Sequence, residues 1–280
     1  QMLSRCGVDT TIVTRSRLLP EAEPEISDAL AGILQDEGIT VYDGLSYKNI
    51  SQIGSGIELN VLVNGVDQSI SAEKVLLTAG RVPNTGGLDL DVGNIDTTSR
   101  GGVTIDDRMR TSRAGVYAAG DVTGNDQFVY MAAYGAKIAA ENALNGDSKR
   151  YDNTAMPAVV FTDPQVASVG FTEAGATASG YNVVTSVLPL EYVPRALAAR
   201  DTRGLIKLVA NAENKQLLGA HILAPEGADS IQTAALAIRS KMTFVELGEM
   251  IFPYLTTVEG LKLAAQTFEK DVSKLSCCAG

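Results

Sequence analysis

The chain has 280 residues, of which 45% are hydrophobic and 20% charged. This composition predicts about two globular domains and excludes disordered and collagen-like proteins. The formal net charge of −10 opposes binding to nucleic acid, and no apolar run is long enough to span a membrane. Three cysteines and one histidine are too few for a disulfide scaffold or a multi-histidine zinc site. We therefore expect a cytoplasmic protein with no nucleic-acid or membrane partner.

The first 42 residues show strands and a helix in short alternation. Because the chain begins with Gln1 and shows no charged and apolar leader, we expect a fragment or processed product without an export signal. A β-branched run predicts a strand over 8–14, apolar spacing predicts a helix over 25–37, and a second strand follows over 39–42. This alternation indicates a doubly wound α/β layer.

Two arginines follow the first predicted strand. In dinucleotide-binding folds an acidic side chain at such a position favours NAD, whereas arginines accommodate the 2′-phosphate of NADP. Arg15 and Arg17 stand there. Two solvated arginines on a loop would give the same pattern, so the residues alone leave both interpretations open.

The next segment changes character. Apolar runs over 45–53, 56–63 and 74–78 are separated by glycine-containing turns, and Asn64-Gly65 is a strong hairpin signal. This order predicts an antiparallel meander inserted before the last strand of a nucleotide-binding domain.

A second candidate site lies at Gly120-Asp121. The sequence predicts a buried strand over 116–121, followed by an alanine-rich helix over 128–145. A carboxylate at the end of such a strand can accept hydrogen bonds from sugar hydroxyls. A simple strand-ending turn is the alternative, but the helix that follows favours the functional interpretation.

The polar segment 147–157 reads as a linker, so we place a domain boundary near residue 151. Beyond it the sequence predicts a separate α+β core. The strand candidates are 159–161, 166–170, 182–188, 205–209 and 216–222, and the helix candidates are 228–239, 245–250 and 258–271.

Cys277 and Cys278 are adjacent thiols near the end of the sequence. Thiolates are the ligands that soft metal ions prefer, and a two-coordinate ion needs only two of them. The tail after residue 271 spans about ten residues and reaches about 30 Å, enough to reach another subunit. Two idle thiols are the alternative, which their liability to oxidation disfavours.

The sequence also predicts the roles of one histidine and one tyrosine. His221 lies in an apolar strand, and we expect a structural role for it. Tyr254 either packs in the core or offers a phenol to a site; the pattern favours the core.

Several segments together resemble a known family. Residues 78–84 (TAGRVPN) resemble the stretch that closes an NADPH domain, and 116–121 (VYAAGD) resemble the second FAD motif of the flavin-dependent pyridine nucleotide-disulfide oxidoreductases. Residues 161–170 resemble the opening of that family's dimerisation domain. Residues 252–268 and the ending SCCAG are similar to the branch of the family that reduces Hg(II).

The resemblance implies an α/β fold, with partial doubly wound FAD/NAD(P)-binding layers followed by an α+β dimerisation domain. It implies a remnant of the NADPH domain over 1–80, a segment of the FAD domain over 81–150 and a dimerisation domain over 151–280. It further implies an NADPH-linked reduction of Hg(II) by a cytoplasmic homodimer, with FAD and NADPH as cofactors. The implied cofactor-binding residues are Arg15, Arg17, Gly80, Arg81, Gly120 and Asp121. The implied catalytic residues are Cys277, Cys278 and Tyr254, the two cysteines also being the metal ligands.

Two departures from the family pattern qualify this picture. Disulfide-reducing members carry a His-Pro where this chain has Phe252-Pro253, and reduction of a metal ion needs no acid for a thiol leaving group. The glycine-rich loops and the Cys-x4-Cys pair of the family are also missing, so we expect weak or no FAD binding by this chain alone. A thiol-disulfide reductase and a non-catalytic, dimerising, metal-binding fragment are the alternative functions.

Overall fold

A computed structural model describes residues 1–63 and 65–272. The chain divides into two compact units. Among the described residues, those up to 75 and those over 154–272 form the larger unit, and residues 76–153 form the smaller one. Across the described ranges, no helix has both the length and the apolar character that a membrane crossing requires.

The larger unit begins with a βαβ element. Its members are α1 (Met2–Arg5), β1 (Thr11–Val13), α2 (Pro24–Asp36) and β2 (Thr40–Tyr42). Strands β1 and β2 are parallel, and α2 is the crossover between them. Pro24 at the start of α2 has the φ angle that a first helical turn needs. Gly38, with φ of +82°, follows the helix where the chain must turn back. The predicted alternation is confirmed.

A three-stranded antiparallel sheet follows, in the order β3-β4-β5. Its strands are β3 (Ser46–Ile53), β4 (Gly56–Val63) and β5 (Val66–Ala72). The meander is confirmed, but its third strand is β5, and the apolar run over 74–78 forms no strand. The chain returns at once after Val63, so β5 already occupies the free edge of β4. Residues 74–78 have no strand partner in the described part of the chain, and Leu76 and Leu77 are exposed.

A five-stranded antiparallel sheet, in the order β6-β7-β10-β9-β8, forms the centre of the larger unit. Its strands are β6 (Ala158–Val160), β7 (Gln165–Gly170), β8 (Val183–Pro189), β9 (Leu205–Asn211) and β10 (Leu217–Ala224). Its helices are α4 (Glu173–Ala178), α5 (Pro194–Ala199), α6 (Gly227–Arg239), α7 (Phe244–Glu249) and α8 (Glu259–Gln266). Helix α8 is shorter than the predicted 258–271. Helices α4 and α5 were not predicted, because each buries only one alanine, Ala176 or Ala196, and so shows no spacing of large apolar residues.

Both faces of this sheet are covered. One face packs against α6, α7 and α8, with Leu208 and Ile222 among its fully buried side chains. The other face packs against α2, where Val166 and Leu223 share a cluster with Leu30. Every residue of β10 is consequently buried, although the sheet is antiparallel and such sheets often have one solvated face. The βαβ element and the five-stranded sheet thus share apolar packing.

The smaller unit is mostly irregular. It contains α3 (Val129–Asn145) and a short 3-10 turn at Asp121–Thr123. The buried strand predicted over 116–121 is wrong: these residues are half-buried or exposed, and Tyr117 makes only an isolated bridge to Arg110. Within residues 76–153 there is no other strand to complete a ladder beside it. The predicted overall class, α/β layers followed by an α+β domain, is confirmed.

Candidate functional site

The first candidate site is the edge of the βαβ element at which β1 ends. The carboxyl ends of parallel strands form the edge of an α/β sheet where nucleotides bind. Thr14 continues β1 by donating its N–H to Tyr42 O at 2.9 Å. Arg15 follows directly and is exposed. The side chain of Arg15 is therefore accessible to a ligand at this edge.

Arg17 is held differently from Arg15. Its Nη2 donates to the carbonyl oxygens of Pro20 at 3.0 Å and Ala22 at 2.6 Å, and its Nε is buried without a hydrogen-bond partner. These bonds close the loop on itself, since both acceptors lie a few residues further along the chain. Arg17 therefore shapes the loop, and Arg15 is the arginine available to a ligand.

We define the coenzyme loop as residues 14–22, between β1 and the cap of α2. Leu18, Leu19 and Ala22 pack against the cluster shared by α2 and the five-stranded sheet. Ser27 Oγ donates to Leu18 O, and Ala22 N–H donates to Leu19 O at 2.9 Å. Packing and hydrogen bonds thus fix the far half of the loop and leave its first residues at the surface.

The second candidate site surrounds Gly120 in the smaller unit. Gly120 has φ of +79°, and a Cβ there would lie 3.0 Å from Ala132 Cβ on α3. Only glycine fits both the left-handed backbone and this close approach. Asp121 follows as the first residue of the 3-10 turn, and it is exposed. The small residue Ala132 of α3 thus allows the segment and the helix to approach closely.

A cavity of about 470 Å³ adjoins Gly120. Its polar side chains are two carboxylates, two amides, a hydroxyl and a phenol, and its lining includes no lysine or arginine. The lining residues are Ile105, Asp106, Met109, Gly120, Thr123, Gly124, Asn125, Asp126, Met131, Tyr151 and Asn153. Asp126 accepts hydrogen bonds from Tyr151 Oη at 2.9 Å and Asn153 Nδ2 at 2.8 Å. Burial, followed by the bond to Asp126, raises the pKa of Tyr151, so the phenol stays protonated. Such a lining suits hydroxyl groups better than phosphates.

The remaining cofactor candidates of this unit lie at its surface. Gly80 has φ of +108° and is exposed, as is Arg81. Arg81 Nη2 donates to Gln127 O at 2.8 Å, just before α3 begins. Arg81 therefore links the 78–84 segment to the turn that follows Asp121.

The candidate metal ligands are cysteines, and Tyr254 is the remaining candidate catalytic residue. Cys277 and Cys278 lie outside the described residues. Cys6 is exposed, and the described residues contain no group of three side chains that could hold a metal ion. Tyr254 is 61% exposed, so the core interpretation of this residue is wrong. Phe252 next to it is half-buried and packs against the main cluster.

A charged cluster in the larger unit was missed by the sequence analysis. Lys207 on β9 is 1% exposed, and its Nζ contacts the carboxylates of Glu23, Glu25 and Glu173. His221 lies directly opposite Lys207 on β10, with Nε2 bonded to Phe171 O at 3.0 Å. This is the structural role expected for His221. The signal for the cluster was a lysine inside the otherwise apolar run of β9.

Comparison with known proteins gives the chain its relatives. Residues 1–140 match the family described as pyridine nucleotide-disulphide oxidoreductase, and residues 156–265 match the dimerisation domain of that family. A mercuric reductase of Bacillus cereus is 45% identical over the whole chain, which covers 44% of that protein. A mercuric reductase of Shigella flexneri is 47% identical, again over the whole chain and 50% of its own length. The chain thus spans about half the length of the curated relatives it matches.

Solved structures agree with this assignment. The Cu(II) complex of the HOCl-induced flavoprotein disulfide reductase RclA of Escherichia coli superposes with a TM-score of 0.85 at 26% identity. That match covers 96% of this chain and 60% of RclA. LpdA of Mycobacterium tuberculosis gives 0.83 at 25% identity, over 95% of this chain and 58% of its own.

Proposed function

Because the chain belongs to the pyridine nucleotide-disulphide oxidoreductase family, we propose that it forms part of a flavin-dependent enzyme that reduces Hg(II) to elemental mercury with NADPH. The observation that carries this proposal is the identity of 44–47% to mercuric reductases along the whole chain. The overall reaction transfers two electrons: NADPH and Hg²⁺ give NADP⁺, Hg⁰ and a proton. The enzyme is proposed to act in the cytoplasm.

The position of the single histidine favours metal-ion reduction over the alternative function, reduction of a disulfide. A disulfide reductase needs an acid that protonates the departing thiolate. The sequence has a single histidine, His221; it is 3% exposed and its Nε2 is bonded to Phe171 O. Phe252, in the position where disulfide-reducing relatives carry histidine, cannot transfer a proton. Hg(II) reduction releases no organic thiol and needs no such acid.

The coenzyme loop is proposed to hold NADPH. Arg15 would bind the 2′-phosphate through a charge-assisted hydrogen bond, while Arg17 holds the loop closed. Gly80 and Arg81, in the smaller unit, are proposed separately as cofactor-binding residues. Residues 1–80 are accordingly proposed as nucleotide domain, 81–150 as part of the FAD domain and 151–280 as dimerisation domain.

Gly120 and Asp121 are proposed to contact FAD. The residues present fit its sugar-like portion, because the exposed Asp121 carboxylate accepts hydroxyl hydrogen bonds and Gly120 leaves room for close approach. Bound flavin would supply a two-electron carrier between NADPH and the metal-reducing thiols. The lining of the cavity beside Gly120 includes no lysine or arginine to hold a phosphate, and the sequence has no glycine-rich phosphate loop. We therefore expect this chain alone to bind flavin weakly or not at all.

Cys277 and Cys278 are proposed to capture Hg(II) and pass it to thiols of the other subunit. Hg(II) favours two soft thiolate ligands, and the ion itself promotes their deprotonation. Tyr254, exposed as described, is proposed to contact the ion during transfer. Homodimerisation is supported by the match to the dimerisation domain and by the exposed apolar side chains Phe161, Leu236 and Ile251.

Metal capture can be tested on the chain itself. A Cys277→Ala/Cys278→Ala variant should lose most tight Hg(II) binding in competition with a small dithiol, and Cys6→Ala should retain most of it. Equal losses in the two variants would contradict a special role of the tail. A dimerising, metal-binding protein without catalysis would show this binding too, so reduction needs its own test. In a longer, flavin-loaded protein containing this sequence, NADPH should release mercury vapour from Hg(II); no release would refute the proposed activity.

A further inference from the structure

Lys207, in the larger unit, is a buried lysine surrounded by three carboxylates. Its side chain is 1% exposed. Nζ lies 3.0 Å from Glu23 Oε2, 2.8 Å from Glu25 Oε1 and 2.8 Å from Glu173 Oε2. Burial lowers the pKa of Lys207, but the hydrogen bonds to these carboxylates outweigh it and raise the pKa above its usual value. The ammonium is thus charged and fully committed to three partners.

Glu23 is the partner that connects this cluster to the coenzyme loop. It is 2% exposed and is the capping residue of α2, directly after residue 22. Besides Lys207, its carboxylate accepts the N–H of Glu173 at 2.6 Å, through Oε1. His221 Nε2 is 3.7 Å from the same oxygen. The end of the loop is therefore fastened by β9 and by the start of α4.

Lys207 neutralises the buried carboxylate of Glu23. Three carboxylates meet one ammonium, and burial keeps water from Glu23. Without the ammonium, Glu23 would be an uncompensated buried charge beside two like charges. It would leave its site towards solvent and carry the start of α2 and the end of the coenzyme loop with it. The apolar contacts of the sheet with α6 and α8 lie on the opposite face and would stay in place.

We propose that Lys207, in the dimerisation domain, is a positioning residue for the coenzyme loop and thereby sets how Arg15 recognises the 2′-phosphate of NADPH. The inference rests on the proposed use of NADPH. It assigns a nucleotide-recognition role to a residue that contacts no nucleotide. It also connects the dimerisation domain to the selection of NADPH. Lys207 binds Glu23, Glu23 holds the end of the coenzyme loop, and that loop carries Arg15.

The first test measures amide hydrogen exchange in the full chain. Lys207→Met should accelerate exchange in residues 15–27 by at least about tenfold, while α6 and α8, on the opposite face of the sheet, keep their protection. Lys215→Met is the matched control, since Lys215 pairs with Glu269 at the surface of the same unit and should leave the loop unchanged. If Lys207→Met does not fold, Glu23→Ala, which removes the carboxylate that connects Lys207 to the loop and leaves Lys207 paired with Glu25 and Glu173, provides the same measurement. Unchanged loop exchange, or equal acceleration in every element, would overturn the proposal.

The second test compares two probes, adenosine 2′,5′-bisphosphate and adenosine 5′-monophosphate, which differ by the 2′-phosphate. The wild-type chain should prefer the bisphosphate, and Lys207→Met should reduce that preference about tenfold while leaving the monophosphate affinity unchanged. An unchanged preference in a variant with a loosened loop would overturn the proposal. Equal binding of both probes by the wild type would instead refute the use of NADPH, and the exchange result would still decide whether Lys207 positions the loop.

Discussion

Replacing Leu30 by alanine tests whether α2 and the five-stranded sheet share one core. Leu30 is 1% exposed and lies in the cluster that contains Val166 and Leu223 of the sheet. Truncating a fully buried leucine costs about 2–5 kcal/mol, through lost burial and the cavity left behind. We expect the free energy of the opening that permits amide exchange in β10 to fall by an amount in this range, because α2 covers one face of β10.

Hydrogen exchange resolved by residue is the suitable assay, since it reports β10 and α2 separately. Leu197→Ala is the matched control: the same residue type, 56% exposed on α5, should change stability by less than about 0.5 kcal/mol. If Leu30→Ala loosens α2 and leaves the protection of β10 at the wild-type level, the two elements do not form one cooperative core. The reasoning that connects the dimerisation sheet to the coenzyme loop would then fail.

Three further predictions concern single positions and pH. Gly219→Ala should lower the melting temperature sharply, since its Cβ would lie 1.8 Å from Phe171 O, whereas Gly32→Ala, with nothing within 4 Å, should be neutral or stabilising by up to about 1 kcal/mol; equal melting temperatures would contradict this. Arg15→Gln should weaken binding of adenosine 2′,5′-bisphosphate about tenfold and leave adenosine 5′-monophosphate unaffected; equal weakening of both would exclude a role in 2′-phosphate recognition. Stability should fall as pH decreases from 7 to 4 in denaturant titrations. Burial has the largest effect on His221 and lowers its pKa from 6.5. The charge of Lys207 lowers this pKa further, and the opposing effects of Phe171 O, Glu23 and Glu25 are smaller than that of burial. The hydrogen bond from Arg5 lowers the pKa of Glu37 from 4.5. For both groups the unfolded chain takes up protons first, so each contribution is present above the unfolded pKa and is lost below it. Constant or rising stability over this range would contradict these pKa directions.

Regular elements that bury one side against a neighbour close in sequence could be predicted from the sequence. The apolar spacing of α2 and the runs that form β9 and β10 give their positions within a few residues. The segments 74–78 and 116–121 look like strands in composition but have no partner strands beside them in the described chain. Apolar composition shows that a strand is possible, and only a partner makes it one.

The sequence proposes candidate sites by residue type but does not give their geometry. Two arginines after β1 indicated a phosphate-binding loop, but only the contacts of Arg17 with Pro20 and Ala22 separate its role from that of Arg15. Lys207 could be noticed as a charge inside an apolar strand. Its partner Glu23 is 184 positions away in the chain, and no local pattern connects residues at that distance.

The most direct test of the proposed function compares electron acceptors. A longer, flavin-loaded protein that contains this sequence is supplied with NADPH and, in separate reactions, with thiol-buffered Hg(II), oxidised glutathione and lipoamide. Oxidation of NADPH and release of mercury vapour are followed together. We predict rapid NADPH oxidation with Hg(II), one Hg⁰ per NADPH, and little turnover with either disulfide. Turnover with a disulfide and none with Hg(II) would contradict the assignment and identify the protein as a thiol-disulfide reductase.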